Sequence, residues 1–290
     1  MLADRRFAVL AFILLVIFWG SAFSAVKIAL DYAPPVLFAG IRTLLCGLAM
    51  TAAAVIWGGK VNLRRNWPVL VLLALFNVVL FIGCQTFAIL YLPSGLAAVL
   101  IYLQPILVGF LAWLMLGESL SPAKLIGLFL GFSGVVVVST GSLFGSMPPL
   151  GIAFGVATAL FWALGTVYFK RAQERVSTLW SVAAPFFIGG VFLTALGLIL
   201  EPWSEISWTG TFIASWLYAS LIGTAFAWAL WLGLVRAGEA SRVAAYVFFV
   251  PLIAVLVGVL FLGEALSLSL LVGAALVVSG IYLVNRQQSS

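Results

Sequence analysis

The sequence predicts an all-α membrane protein in which ten transmembrane helices form two inverted five-helix repeats. The first observation is composition: 65% of the 290 residues are hydrophobic and 8% are charged, whereas roughly 25% of the residues of a soluble domain are charged. The second is the length of the apolar runs. They continue for about 20 residues without polar alternation, as membrane helices do and barrel strands do not. The third observation is an internal repeat.

The repeat is clearest where residues 105–134 recur as residues 251–280, at a shift of 146 positions. In this register both copies have a proline, a Gly-Glu pair, a glycine and a Ser-Gly pair at the same places. Each copy is predicted to be an apolar helix, a short turn at the Gly-Glu pair and a second apolar helix. Shared composition alone would not align these residues, so the pattern indicates a duplication with halves 1–145 and 146–290.

Turn signals divide the first half into five helices. Pro34-Pro35 ends the first helix, because paired prolines cannot continue it. A polar, basic stretch at 58–66 ends the second helix, and Ser94 is a favourable N-cap for the fourth. The predicted helices are 7–30, 36–57, 68–90, 95–116 and 122–140.

The second half repeats this plan after a connector rich in Gly, Ser and Pro at 141–149. A basic loop at 170–175, an acidic loop with a tryptophan at 201–207, and the second Gly-Glu turn separate its helices. The predicted helices are 150–169, 179–200, 211–235, 241–262 and 266–284.

The loop charges indicate one orientation in the membrane. With the N-terminus inside, the inner segments hold 12 of the 14 basic residues, all except Lys27 and Arg42. The positive-inside rule then predicts that both termini are cytoplasmic. Because each half has an odd number of helices, the second half is inverted relative to the first. An inverted pair around one central site is the physical basis of alternating access, which favours a transporter. The outer turns hold acidic residues: Asp31, Glu201, Glu205 and Glu264.

Composition argues against several other functions. The chain has no histidine, and Cys46 and Cys84 lie inside apolar runs, so we expect neither a metal site nor a disulfide. We find no clustered carboxylates, phosphate loop or ATP-binding motif, so we expect no enzyme activity and no cofactor. The charge of +6 is explained by topology, and nucleic acid is not an expected partner. The first apolar run mimics a signal peptide, but it is long enough to span the membrane, and we expect that it is not cleaved.

Several residues carry a resemblance to a known family. They are Trp19-Gly20 in helix 1, a similar tryptophan, Trp162, in helix 6, Arg42 in helix 2, and the Pro…Gly-Glu…Gly…Gly pattern of each half. With these the chain resembles the EamA-type transporters of the drug/metabolite transporter superfamily over essentially its whole length. The resemblance implies a multi-pass protein of the bacterial inner membrane that exports amino acids or other metabolites, as the YddG-type aromatic amino-acid exporters do. It also implies that helices 1, 3, 4, 6, 8 and 9 surround a central cavity.

Polar and aromatic side chains on those helices are the candidate substrate-binding residues, since polar groups at membrane depth usually face a cavity or another helix. Together they would form an aromatic cavity with amide and hydroxyl groups, suited to neutral, zwitterionic or aromatic solutes. The alternatives are that the aromatic residues are interfacial or packing residues and that the amides join helices. The candidates are Trp19, Asn77, Phe81, Gln85, Tyr102, Gln104, Trp162, Thr166, Trp228, Tyr246 and Phe248.

Charged residues within or near the helices are interpreted one by one. Arg42 lies about 9 Å into helix 2; because helix 2 does not line the cavity in the family, we favour a structural role. Lys27 and Lys170 near helix ends are expected to snorkel to the interface, with a gating or carboxylate-binding role as the alternative. Glu118 and Glu264 are expected to be turn anchors and helix-end contacts rather than proton carriers.

The sequence therefore predicts a secondary transporter that exports small metabolites, foremost aromatic or neutral amino acids, by alternating access. Export of drugs, nucleobases or other metabolites is one alternative, and a non-transporting membrane scaffold is another. The expected partners are a small-molecule substrate and the lipid bilayer, with the chain acting as a monomer or weak homodimer. Without a carboxylate at mid-membrane, facilitated diffusion or exchange is favoured over proton coupling.

Overall fold

Apolar helices make up nearly all of the chain that the structure, a computed structural model, describes: residues 5–92, 94–139, 148–253 and 268–286. A short 3₁₀ turn, Trp203–Glu205, lies between two of them. The helices are α1 Arg5–Leu30, α2 Pro35–Trp57, α3 Leu63–Tyr91, α4 in two segments (Ser94–Ile101 and Gln104–Leu116), α5 Pro122–Ser139, α6 Pro149–Ala172, α7 Thr178–Leu200, α8 Gly210–Ala237, α9 Ala240–Ile253 and α10 Leu268–Asn285.

Eight of these helices, α1 to α8, are long and apolar enough to cross a membrane. The apolar helices α9 and α10 are shorter in the described part of the chain, which stops at residue 253 and resumes at 268. The predicted Gly-Glu turn at Glu264 lies outside it. Large apolar side chains cover the bundle's outer surface; Leu114 is 73% and Ile199 is 80% exposed. A soluble monomer would not expose so much apolar surface, so this surface is the one that faces lipid.

Two helix pairs pack through glycines: α2 against α7, and α5 against α10. A Cβ at Gly190 of α7 would lie 2.5 Å from the backbone N of Leu44 in α2, and one at Gly280 of α10 would lie 2.5 Å from the backbone N of Gly131 in α5. Only glycine lets the two backbones approach so closely. In each pair the partners occupy corresponding places in the two predicted halves.

Four helices depart from regular α geometry near the middle of the bundle. The segment Leu75–Leu80 of α3 and the segment Tyr218–Phe226 of α8 are π-helical, and they end 146 residues apart. The two segments of α4 are separated just before Gln104-Pro105, and α9 tightens to 3₁₀ at Tyr246–Phe248. Such irregular turns are frequent at functional sites, and they re-aim the side chains that follow them.

Candidate functional site

A cavity lies between α1, α2, α3, α4, α6 and α8. Its total empty volume is about 530 Å³, which includes the space at its open mouth. It occupies the end of the bundle where α1 and α3 finish and α2 and α8 begin, the end predicted to be extracellular. Six of the eleven predicted site residues line it: Trp19, Phe81, Gln85, Tyr102, Trp162 and Trp228.

Packed aromatic rings form the floor of the cavity. Trp19 meets Trp162 edge to face with ring centroids 5.2 Å apart, and Phe81 lies 5.3 Å from Trp162 and 5.6 Å from Trp228. The fully buried Trp231 contacts Trp19 and Trp162 from below, at 5.6 and 5.7 Å. Offset and edge-to-face arrangements are the favourable geometries for aromatic rings. The cluster presents an apolar surface to any solute in the cavity and separates it from the opposite end of the bundle.

Small and apolar side chains form much of the wall above this floor. Ala22 and Val26 of α1 face Ala219 and Gly223 of α8. The absent side chain of Gly223 lets α8 approach α1, since a Cβ there would lie 2.6 Å from the Cβ of Ala22. These walls offer few hydrogen-bond partners, so the polar groups of the lining determine how a solute is oriented.

Five predicted site residues lie outside the cavity lining. Asn77 is 2% exposed and packs against Gly165 of α6, and the Thr166 hydroxyl donates to the carbonyl of Trp162 in its own helix at 2.8 Å. The three others are Gln104, which is fully buried, Tyr246, whose ring lies tilted against that of Phe12, and Phe248, which packs on Gly131. These five are not part of the lining of this cavity, and their role in substrate binding stays a prediction.

Arg42 is a lining residue that the sequence interpretation did not assign to the cavity. Its helix was expected to lie outside the cavity wall, but the side chain of Arg42 is long enough to reach the lining. The residue is 3% exposed, and its guanidinium lies 5.5 Å from the ring of Phe38. Its Nε and Nη2 atoms have no hydrogen-bond partner among the described residues. Helix 2 therefore contributes Arg42 to the cavity lining, although the family resemblance implies that this helix does not line the cavity.

The opposite end of the bundle is closed by a polar network that joins the two predicted halves. The Glu118 carboxylate, between α4 and α5, accepts the backbone N–H groups of Ala240 and Ser241 at the start of α9. The buried Nζ of Lys124 donates to Ser241 Oγ at 2.8 Å and to the Glu239 carboxylate at 3.1 Å. Glu118 is therefore a helix-end contact, as expected. The cavity is separated from this end by both the aromatic floor and the network.

Lys170 also belongs to this closed end, and it does not snorkel. Its Nζ donates to the carbonyls of Val235, Arg236 and Gly238 at 2.9, 3.2 and 2.7 Å. These carbonyls end α8 and lack partners within the helix. The lysine therefore fixes the end of α8 to α6, and the expectation of snorkelling is wrong.

The chain is similar to known transporters along its whole length. Residues 6–140 and 149–286 match the EamA-like transporter family. The chain is 44% identical to an uncharacterized transporter, YvbV, of Bacillus subtilis, over 99% of this chain and 93% of that protein. It is 29% identical to a probable amino-acid metabolite efflux pump of Escherichia coli, over 97% and 95% of the two chains. A solved crystal structure, 25% identical, aligns with 97% of each chain at a TM-score of 0.79.

The family match covers both the cavity-forming helices and the network at the closed end. It agrees with the apolar outer surface and with the eight helices long enough to span a bilayer. The chain therefore belongs to the EamA-like transporter family and is a multi-pass membrane transporter.

Proposed function

We propose that this protein exports small metabolites, foremost neutral or aromatic amino acids, across the bacterial inner membrane by alternating access. The observation that carries the proposal is a cavity with an aromatic floor, lined from both halves of the chain and closed at one end. Its lining is largely apolar and aromatic with a few polar groups, as the sites that bind small solutes are. The name of the Escherichia coli relative, an amino-acid metabolite efflux pump, supports the same substrate class.

Alternating access is supported by residues that correspond at the shift of 146 positions. Phe248 corresponds to Tyr102, and Asn77 corresponds to Gly223. In each pair one member lines the cavity and the other is buried near the middle of the bundle. If the two halves exchange conformations, the second members line a cavity that opens at the other end. Part of the predicted site would thus belong to the second conformation.

The proposed orientation places both termini in the cytoplasm, with the second half inverted relative to the first. The irregular segments of α3 and α8 end at corresponding positions, and the family matches the two halves separately. Both features support a duplication with halves 1–145 and 146–290. In this orientation the cavity faces outward and the polar network closes the cytoplasmic end.

No aspartate or glutamate lies in the part of the cavity lining that the structure describes. A proton-coupled carrier needs a group that binds and releases a proton in the translocation path. We therefore propose facilitated export or exchange. Drugs and nucleobases remain the alternative substrates.

The test is counterflow in proteoliposomes loaded with unlabelled solute. The panel contains labelled phenylalanine, leucine, a nucleobase and a cationic dye. We expect accumulation of an amino acid that Trp162→Ala abolishes, because the floor of the cavity is lost. Trp113→Ala is the matched control, since Trp113 is 54% exposed on the lipid-facing surface.

Accumulation of the dye or nucleobase alone would keep transport and reject the amino-acid assignment. A folded protein that moves none of the four solutes would contradict the proposal and favour a scaffold. An equal loss in Trp113→Ala and Trp162→Ala would reject the cavity as the translocation path.

A further inference from the structure

Arg42 is a buried cation that forms no salt bridge among the residues that the structure describes. It is 3% exposed, and its Nε and Nη2 atoms donate to nothing there. The Phe38 ring lies 5.5 Å from the guanidinium carbon and gives Arg42 a cation–π contact. Burying an unpaired guanidinium is costly, so a residue in this state indicates a ligand or ion that completes it.

The cavity around Arg42 concentrates this positive charge. Its described lining contains no aspartate, glutamate or second basic residue. The remaining polar groups are neutral: the amide of Gln85, the hydroxyls of Tyr102 and Thr224, and the indole N–H groups. The Nε1 of Trp162 is itself buried without a partner in the described structure. The lining therefore offers several hydrogen-bond donors and a single full charge, which is the arrangement that attracts an anion.

We propose that Arg42 binds the carboxylate of the transported solute, whose apolar or aromatic part rests on the tryptophan floor. A guanidinium binds a carboxylate through two parallel hydrogen bonds, for which Arg42 has its unpartnered donors available. This inference rests on the proposed function and specifies its substrate class. One cation in an otherwise uncharged lining suits a monoanion, whereas a phosphate would bring up to two charges.

The same geometry assigns no partner of opposite charge to the ammonium of an amino acid. Within the described lining, the groups open to an ammonium are ring faces and neutral oxygens, which bind it more weakly than a carboxylate would. The carboxylate is therefore the required group and the ammonium is dispensable. Small monocarboxylates without an amino group, such as 3-phenylpropanoate, should enter the cavity and bind.

The experiment compares three probes of one skeleton by isothermal titration calorimetry on the purified full chain. Phenylalanine has both charged groups, 3-phenylpropanoate lacks the ammonium, and phenylalaninamide lacks the carboxylate. We expect the two carboxylates to bind at least about tenfold more tightly than the amide, because a hydrogen bond to a charged group contributes about that factor or more. Leucine, 4-methylpentanoate and leucinamide form a second series of the same design.

Arg42→Gln should remove the preference for carboxylates, and Arg42→Lys should retain part of it. Arg65→Gln is the control for the loss of one positive charge, because Arg65 is exposed outside the cavity. The proposal is overturned if the wild type binds the amides as tightly as the acids, if it binds none of the six probes, or if Arg42→Gln keeps the preference.

A second measurement needs only the wild type and so does not depend on the folding of the variants. Butanedione in borate modifies arginine side chains, and mass spectrometry of the peptide that contains Arg42 gives the rate. We expect 3-phenylpropanoate to slow this modification several-fold and phenylalaninamide to leave it unchanged. Equal protection by the two probes, or protection by neither, contradicts the proposal.

Failure of this inference and failure of export have different signatures. Counterflow of phenylalanine and phenylalaninamide at equal rates would leave export intact and reject the role of Arg42. Carboxylate-selective binding without any flux would keep the role of Arg42 and reject export.

Discussion

The carboxylate of Glu118 accepts the backbone N–H of Ala240 at 2.6 Å. The glutamate lies between α4 and α5, and the alanine is the first residue of α9, so this contact joins the two predicted halves at the closed end. At the other end, the Glu201 carboxylate accepts the N–H groups of Val36 and Leu37 at 3.0 and 2.7 Å. Both carboxylates satisfy backbone donors that a helix N-terminus leaves free.

The two contacts differ in what surrounds them. Glu201 lies in the α2–α7 pair, where glycines bring the two backbones together and leave no room for the helices to slide past each other. Glu118 lies in a polar network between α5 and α9, where Gly131 contacts the side chain of Phe248 and not its backbone. We therefore expect the Glu118 contact to open during transport and the Glu201 contact to persist.

Glu118→Gln should shift the protein towards the state that opens at the closed end. The amide keeps the shape but loses the charge that strengthens the bonds to Ala240 and Ser241. A charge-assisted hydrogen bond is worth about 1.5–3 kcal/mol, so the open state should gain about tenfold or more in population. The labelling rate of a cysteine at this site, Ala245→Cys, measures the population of the open state, since Ala245 is fully buried behind the network. The measurement uses a membrane-impermeant thiol reagent and a background without Cys46 and Cys84.

The control for that variant is Glu174→Gln, in which the glutamate is exposed beyond α6. Glu174→Gln should label at the wild-type rate. If Glu118→Gln also labels at the wild-type rate, the network does not hold this end closed.

Lys170→Met should lower the thermal stability of the protein. The methionine retains most of the apolar stem but leaves the carbonyls of Val235, Arg236 and Gly238 without their donor. Unsatisfied buried polar groups cost about 1–3 kcal/mol. The melting temperature of the purified protein in one detergent measures the loss. Arg171→Met removes an exposed charge one residue away and should leave the melting temperature unchanged; an equal drop in both variants would exclude a specific role for Lys170.

The helices could be predicted from the sequence because the apolar runs are long and their turns carry prolines, glycines and charges. The cavity could be predicted only in part. At regular α-helical spacing Asn77, Phe81 and Gln85 would share one face, but the π segment Leu75–Leu80 intervenes. A π turn adds one residue, so Asn77 leaves the face that Phe81 and Gln85 share. No local sequence signal marks the π segment.

Two basic residues have surroundings that local sequence patterns do not predict. The long side chain of Arg42 reaches the cavity from a helix outside the expected wall. Lys170 lies near a helix end, but its partners lie 65 to 68 residues further along the chain. The positions of backbone carbonyls in another helix follow from tertiary packing, which local patterns do not contain.

Gly190→Ala should destabilise the α2–α7 pair. The new Cβ would lie 2.5 Å from the backbone N and 2.6 Å from the Cα of Leu44, and a backbone cannot rotate away as a side chain can. Overpacking of this kind costs about 1–3 kcal/mol. Gly83→Ala is the matched control in α3, where a Cβ would meet no atom within 4 Å. It should leave the protein unchanged or stabilise it by up to about 1 kcal/mol. Melting temperatures in one detergent compare the two; a harmless Gly190→Ala would contradict the close packing.

Asn77→Leu should raise stability and reduce transport. The Oδ1 of Asn77 is buried without a hydrogen-bond partner among the described residues, so an apolar side chain of similar shape removes an unfavourable group worth about 1–3 kcal/mol. The amide is retained at this cost, we propose, because it lines the second cavity when the halves exchange conformations. A gain in stability with a loss of function is the expected signature of such a residue.

The melting temperature of Asn77→Leu tests the expected gain in stability, and its counterflow rate tests the expected loss of transport. Thr166→Val is the control, because the hydroxyl of Thr166 is already bonded to the carbonyl of Trp162 in its own helix. We expect this control to be no more stable than the wild type. A lower melting temperature for Asn77→Leu would mean that the amide is satisfied in the folded protein. Unchanged counterflow would place Asn77 outside the translocation path, and Phe248 would then be the remaining predicted residue with a counterpart in the present cavity.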